Sequence, residues 1–223
     1  TLNVTGTLSN STAVSIATGA TYIVGADDTV ASIAGAGNIT LTGSLTAGDT
    51  PDTTFSGVMS STGSFTKVGS GTLTLSGTNT YSGATTISAG TLLISNNAGL
   101  GSTAGATTIN SGATLDLYNV TIGAEAITLA GGTLRDVTSS LAGNITLTAD
   151  STLSADTGDT LTLSGVISGS YGITKTGAGT VVLSNNNTYT GTTTISAGTL
   201  NVTGTLSNST AVSIATGATY IVG

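Results

Sequence analysis

The chain has 223 residues and a net charge of −7, with no Cys and no His. Without those two residue types, Ser-His-Asp and Cys-His catalysis and imidazole or thiolate metal sites are excluded, and three Lys and Arg residues are too few for binding nucleic acid through its phosphates. Only 6% of the residues are charged but 38% are hydrophobic, which favours a folded chain over a disordered one, and no apolar run reaches the ~20 residues of a membrane span.

Short alternating segments rich in Thr, Val and Ile run along the whole chain, separated by many of the 33 Gly. β-Branched side chains favour strands. A phrase of a small residue, Thr and an apolar residue recurs mostly at intervals of 19 to 23 residues, with its Thr at positions 1, 21, 72, 91, 114, 133, 152, 180 and 199. Coils of ~20 residues with two or three short strands are typical of a β-helix, which buries its core by stacking.

The sequence therefore predicts an all-β fold, a parallel β-helix or β-solenoid, with about ten coils per 198 residues. Alternation along each strand places the aliphatic residues inside and the intervening Thr and Ser outside. The residues predicted to point inward are Leu73, Leu75, Ile87, Leu115, Leu117, Ile145, Leu147, Leu161, Leu163, Val181, Leu183 and Ile195. The alternative is an antiparallel β-sandwich, which also uses short strands but does not explain tandem repetition.

Repetition is visible at two longer scales. Residues 1–25 recur letter for letter at 199–223, an offset of 198 residues. Within that distance, residues 65–92 match residues 173–200 at 19 of 28 positions.

We interpret residues 1–198 as one complete solenoid unit and residues 199–223 as the start of the next identical unit. The unit consists of two half-modules. One covers roughly residues 37–142. The other begins at residue 143 and extends into the next unit, to the position that would be numbered 234. Because no signal peptide is visible at Thr1, we expect the chain to be a fragment or a processed piece of a longer protein.

The two long matching segments share a fixed series of residues. In the first segment these are Lys67, Gly69, Gly71, Asn79, Tyr81 and Gly90, and in the second they are Lys175, Gly177, Gly179, Asn187, Tyr189 and Gly198. With the Thr-Leu and Gly-Thr-Leu phrases around them, they resemble the autotransporter-associated β-strand repeat of bacterial passenger domains. The resemblance implies a right-handed parallel β-helix, export to the cell surface of a Gram-negative bacterium, and a structural motif without catalytic residues.

Each of these residue types has an expected structural role. We expect Gly71 and Gly179 at corresponding corners of the solenoid, and likewise Gly90 and Gly198, with Val substitution costly if their φ is positive. Asn at a corner bonds its own backbone and that of the next coil, and the two Tyr are expected to pack at coil corners.

Carboxylates are the remaining candidates for chemistry. The pair Asp27-Asp28 is expected to form a solvated turn, because adjacent strand residues point to opposite faces and a glycosidase needs two carboxyls facing one substrate. Asp49 with Asp52, and Asp156 with Asp159, are weak candidates for calcium ligands, since each pair lies three residues apart in a loop. An ice-binding array is disfavoured because the second Thr of Thr-x-Thr is not kept in successive coils.

The sequence thus predicts a non-catalytic, structural segment of a surface stalk or extracellular filament, with no cofactor. An adhesin that binds glycan or neighbouring cells through one solenoid face is the alternative, and a polysaccharide-active β-helix enzyme is the least favoured hypothesis. The expected partners are adjoining copies of the same repeat, end to end or side by side, and a glycan or cell-surface ligand. Neither nucleic acid nor a membrane span is expected.

Overall fold

A computed structural model of the chain describes residues 1–207 and 210–223. The described residues form 29 short strands and contain no helix that could span a membrane. The strands are β1 (Leu2–Val4), β2 (Ala13–Ile16), β3 (Thr21–Val24), β4 (Asp28–Val30), β5 (Ser32–Gly35), β6 (Asn38–Leu41), β7 (Leu45–Ala47), β8 (Thr53–Phe55), β9 (Met59–Ser60), β10 (Phe65–Lys67), β11 (Thr72–Leu75), β12 (Thr85–Ile87), β13 (Gly90–Ile94), β14 (Thr107–Asn110), β15 (Ala113–Tyr118), β16 (Thr121–Ile122), β17 (Ile127–Ala130), β18 (Thr133–Val137), β19 (Ser139–Leu141), β20 (Ile145–Ala149), β21 (Ser151–Ala155), β22 (Thr160–Leu163), β23 (Ile167–Gly169), β24 (Ile173–Thr176), β25 (Thr180–Leu183), β26 (Thr193–Ile195), β27 (Thr199–Val202), β28 (Val212–Ile214) and β29 (Thr219–Val222).

The strands stack into parallel sheets on three sides of a solenoid of about 11 turns. Face 1 is an 11-stranded sheet, β2-β5-β8-β11-β13-β15-β18-β21-β24-β26-β28, and face 3 is an eight-stranded sheet, β4-β7-β10-β12-β14-β17-β20-β23. Face 2 consists of two sheets, β1-β3-β6-β9 and β16-β19-β22-β25-β27-β29. In each coil the chain passes face 1, then face 2, then face 3. The predicted parallel β-solenoid is therefore confirmed, and the antiparallel sandwich is excluded.

Backbone hydrogen bonds continue face 2 between its two sheets, where no strand is assigned. Thr80 N–H donates to the Met59 carbonyl at 2.8 Å, and Ser102 N–H donates to the Tyr81 carbonyl at 2.8 Å. The two sheets of face 2 thus occupy the same side of the same column.

One continuous hydrophobic core fills the column. All 12 residues predicted to point inward are at most 2% exposed. Each burial contributes roughly 1.5–3 kcal/mol relative to an exposed side chain. The aromatic rings of Phe55 and Phe65 and the side chain of Met59 are also fully buried.

The 198-residue offset corresponds to a whole number of turns. The identical residues at the two ends of that offset lie in β2 and β28, which are the two end strands of face 1 and are ten steps apart in the 11-stranded sheet. Similarly, β1 and β27 both belong to face 2. A unit of this length therefore returns each side chain to the same side of the solenoid.

The shorter repeat behaves differently, because its offset of 108 residues contains an extra third of a turn. Strand β10 lies on face 3, but its counterpart β24 lies on face 1. Strand β11 lies on face 1, and its counterpart β25 lies on face 2. The second copy of the motif is thus displaced by one face, which the sequence comparison did not predict.

Glycines at the corners of the two copies have matching conformations. The φ angles are 70° at Gly69 and 72° at Gly177, and 65° at Gly90 and 66° at Gly198, values that favour Gly. Gly71 is not among the positive-φ residues, and neither is its counterpart Gly179.

Close approach of the neighbouring coil explains Gly71 and Gly179 instead. A Cβ on Gly71 would lie 2.5 Å from the Thr50 carbonyl oxygen, and one on Gly179 would lie 2.1 Å from that of Asp156. These glycines are therefore required by space rather than by φ.

Gly90 and Gly112 have similar φ angles, so Ala substitutions at these two positions separate the cost of backbone strain from the cost of crowding. Gly90→Ala should lower the free energy of unfolding by about 3 kcal/mol or more, because the new Cβ would lie 2.4 Å from the Gly69 carbonyl oxygen as well as strain the backbone. Gly112→Ala should cost only about 1–2 kcal/mol, because Gly112 has φ 78° but no atom within 4 Å of that Cβ. Urea unfolding of both variants is the measurement, and equal losses would contradict the stacking geometry.

Candidate functional site

The buried lysines of the repeat motif form the most elaborate polar cluster of the solenoid. Lys67 is 1% exposed and Lys175 is fully buried. Lys67 Nζ donates to the carbonyls of Val68 at 2.6 Å, Gly69 at 2.9 Å and Ala89 at 3.2 Å. All three ammonium protons are thereby used, two within the lysine's own corner and one on the next coil.

The second copy reproduces this arrangement on a different face. Lys175 Nζ donates to Thr176 at 2.7 Å, Gly177 at 2.8 Å and Ala197 at 3.2 Å. Burial lowers the pKa of both lysines, and the nearby carboxylates of Asp52 and Asp156 act in the opposite direction. With every proton donated to a carbonyl, neither amino group is available to a ligand.

Asn79 and Asn187 connect successive coils. Asn79 Oδ1 accepts the Met59 N–H at 2.9 Å, and Asn79 Nδ2 donates to the Gly99 carbonyl at 2.7 Å. Asn187 Oδ1 likewise accepts the Ile167 N–H at 2.9 Å. These side chains supply the backbone partners where strand pairing stops.

Tyr81 and Tyr189 are fully buried, so neither ring is open to a sugar. Each hydroxyl shares a 2.6 Å hydrogen bond with a Thr four residues later, Thr85 and Thr193 respectively. Burial raises the pKa of Tyr189 to about 12 and also raises that of Tyr81. Both phenols therefore remain neutral structural groups.

The expectation that Asp27-Asp28 forms a solvated turn is wrong for Asp28. Asp27 is exposed and accepts the Ser44 N–H, but Asp28 is only 3% exposed. Its carboxylate accepts the Tyr22 hydroxyl at 2.6 Å and the Leu8 N–H at 2.9 Å. Because Asp27 is exposed and Asp28 is buried, the two carboxyls do not face a common substrate.

The four calcium candidates have internal partners. Asp49 accepts the N–H of the residue that follows it at 2.8 Å, and Asp52 accepts the Thr72 N–H at 2.7 Å. Asp156 accepts a 2.8 Å bond from the Arg135 guanidinium, and Asp159 accepts the hydroxyl of the Thr at 138 at 3.3 Å. Over residues 1–207 and 210–223, no three acidic side chains meet as a metal site would require.

Two carboxyls inside the column were not recognised from the sequence. Asp136 is fully buried beside Leu117, its register partner, and the nearby Ser139 hydroxyl and the backbone N–H groups of Ser139 and Thr138 only partly offset its burial. Glu125 is 2% exposed and accepts the Thr107 hydroxyl at 2.8 Å. Burial raises the pKa of Glu125 to about 7 and that of Asp136 to about 6. The sequence did contain a signal for Asp136: it lies two residues after the inward-pointing Leu134 in β18, and alternation along the strand places it on the same inner side.

Comparison with known proteins identifies the repeat. The passenger-associated-transport-repeat family matches residues 65–94 and 173–202, which are the segments that hold the two lysine clusters. The predicted resemblance to autotransporter passenger repeats is thereby confirmed for these two segments. No curated protein and no solved structure was found that matches the chain.

Lys67→Met should destabilise the protein by about 2–5 kcal/mol, because three buried carbonyls lose their donor. Lys175→Met should cost a similar amount, since its three bonds match in length. Arg135→Met, which removes a cation that is 44% exposed, should change the free energy of unfolding by less than about 1 kcal/mol. Thermal and urea unfolding measure all three, and a Lys67 variant as stable as the Arg135 variant would contradict a stabilising role for the three lysine hydrogen bonds.

Acidification should stabilise the fold. The folded-state pKa values of Glu125 and Asp136 lie above the ordinary values of 4.5 and 3.8, so their favourable contribution is complete below pH 4 and is lost as the pH rises to 7. We expect the free energy of unfolding to be about 3 kcal/mol greater at pH 4.5 than at pH 7.5.

Substitution identifies the source of that pH dependence. Asp136→Leu should raise stability at pH 7.5 and flatten the profile, because it removes a buried carboxyl whose desolvation its neighbours only partly offset. Asp49→Asn, at an exposed position, should leave the profile unchanged. Urea unfolding over pH 4–8 would refute the assignment if the two variants gave the same curve.

Proposed function

We propose that this chain, two segments of which are passenger-associated-transport-repeats, is a structural, non-catalytic rod in a protein secreted to the surface of a Gram-negative bacterium. The match to the passenger repeat supports a secreted, cell-surface role. The observation that carries the structural part of the proposal is the continuous core that runs from Val4 to Val202. A column stacked around one core resists bending because any bend must open backbone hydrogen bonds on one face.

The chemistry of the repeat motif supports the same proposal. Its Lys, Asn and Tyr side chains are buried, and their polar atoms are bonded to other parts of the solenoid. What the two copies share is therefore the means of closing a corner and joining it to the next coil. No group of the motif faces a substrate.

We further propose that the 198-residue unit is repeated in tandem in the native protein. The identical 25-residue segments occupy the same two faces after ten turns, so successive units would continue the column in register. With coils ~4.8 Å apart, one unit would advance the rod by about 48 Å.

Electron cryomicroscopy of the protein on intact cells tests this proposal. A thin rod with strong ~4.8 Å layer spacing and an axial repeat of about 48 Å is the expected result. A compact particle without an axial repeat would contradict the tandem rod. Protease treatment of intact cells tests location separately, since a surface rod is cleaved while cytoplasmic proteins are protected.

The absence of catalysis is tested through the one adjacent pair of carboxylates. We expect no release of reducing sugar from bacterial or host polysaccharides, with or without Asp27→Asn. The single change avoids Asp28, whose buried bonds to Tyr22 and Leu8 make its substitution a test of folding. Sugar release that Asp27→Asn abolishes would overturn the non-catalytic assignment.

A second function, adhesion through a solenoid face, is favoured by a groove on face 2 that the repeat motif does not occupy. It is compatible with the rod, because the groove lies on the outside of three successive coils.

A further inference from the structure

The groove crosses β16, β19 and β22 on the outer side of face 2 and has a volume of about 460 Å³. This volume lies within the range of small-molecule sites, ~300–1,000 Å³. Two rows of polar side chains line it. One row is Thr121, Ser140 and Thr162, and the other, two residues earlier in the same coils, is Asn119, Thr138 and Thr160.

The rows follow the stacking of the coils. Thr121 is in register with Ser140, and Ser140 is in register with Thr162, so their spacing is that of the coils, ~4.8 Å. This spacing is close to the length of one hexose unit in an extended oligosaccharide. A ligand lying along the groove would present one sugar to each coil.

Two connections between strands contact the lining of the groove. Asn97 Oδ1, in the connection between β13 and β14, accepts the Thr121 N–H at 2.9 Å. Asp159, in the connection between β21 and β22, accepts the Thr138 hydroxyl at 3.3 Å. At its Thr121 end the groove is therefore bordered by the connection that holds Asn97.

Most of the polar side chains in the groove have no internal use. Within the part of the chain that the structure describes, the side chains of Asn119, Thr121, Ser140, Thr160 and Thr162 make no hydrogen bond. Some outward hydroxyls elsewhere on the solenoid reach back to the preceding coil. On face 2, for example, the side chain of the Ser at 184 donates to a carbonyl of β22 at 3.3 Å. The groove thus offers unused donors and acceptors in a fixed array.

Its chemistry restricts the class of ligand. No Lys or Arg lines it, and the charged group that touches its lining is the carboxylate of Asp159, so an anionic ligand is disfavoured. The apolar residue in its lining, Val120, is only 4% exposed, which disfavours a lipid or an apolar peptide. Hydroxyls donate and accept at once, as the hydroxyls of a neutral sugar do.

An exposed aromatic ring lies at the same corner. Tyr118 directly precedes Asn119 and is 48% exposed, in contrast to the buried tyrosines of the repeat motif. An aromatic face of this kind offers an apolar surface for a sugar ring.

From these observations we propose that the groove on face 2 binds a short neutral oligosaccharide. The inference rests on the proposed surface location only in that extracellular glycans are then within reach. Binding in solution is measured independently of location, so failure to bind would leave the rod proposal standing.

Isothermal titration calorimetry of the full chain tests the inference. The probes are malto-, cello-, manno- and chito-oligosaccharides of two to six units, with oligogalacturonate as an anionic comparison. We expect one neutral series to bind with a dissociation constant in the millimolar range or below, and oligogalacturonate not to bind.

The matched variants differ only in the face that loses its hydroxyls. The groove variant is Thr121→Val with Ser140→Ala and Thr162→Val, and the control is Thr66→Val with Thr86→Val and Thr108→Val, three stacked outward threonines of face 3. The groove variant should weaken binding at least about tenfold, and the control should change it less than about twofold.

Circular dichroism and urea unfolding establish that both variants are folded, and Ser140→Ala alone replaces the triple variant if it is not. Three results would overturn the inference: no neutral probe binds at millimolar concentration, the control weakens binding as much as the groove variant, or oligogalacturonate binds in a groove-dependent way.

Discussion

Parallel hydrogen bonding between successive coils is the constraint on which the rest of this structure depends. Each backbone amide must pair with the coil on either side, so a residue is stacked on another about one coil away at ~4.8 Å. Side chains therefore occur in files rather than as isolated positions. The inward files of Leu, Ile and Val form the core, and an outward file on face 3 is threonine from Thr29 to Thr146 in seven consecutive strands.

The same spacing accounts for the small number of charged residues. Two like charges at adjacent positions of a file would repel across ~4.8 Å, which is destabilising in a sheet. Where charges do stack, their signs alternate, as Asp116 is in register with Arg135 and the next residue of that file is Ser154. The chain dispenses with charge elsewhere and uses hydroxyls, which stack without repulsion.

Alternation and repetition were sufficient to predict the parallel solenoid and its inward aliphatic residues, because strand period and coil length are both visible in the sequence. They were not sufficient for Lys67, whose acceptors are corner carbonyls that exist only once the coil is folded. From the sequence, Asp28 was expected in a solvated turn, although Tyr22 provides it with a buried donor in the folded chain. The groove was also missed, because Asn119 and Thr162 are 43 positions apart in the sequence and come together only when the coils stack.

The displacement of the second motif by one face shows how tolerant this architecture is of changes in chain length. Because the Lys-to-Tyr motif closes a corner equally well at two different places around the column, inserting or deleting about a third of a coil would preserve every local bond while turning all later coils by one side. Selection for folding alone would then accept such changes, whereas selection for a ligand surface would not. A unit length of a whole number of turns is expected if selection has maintained the orientation of an outer surface, and not only the stability of the fold.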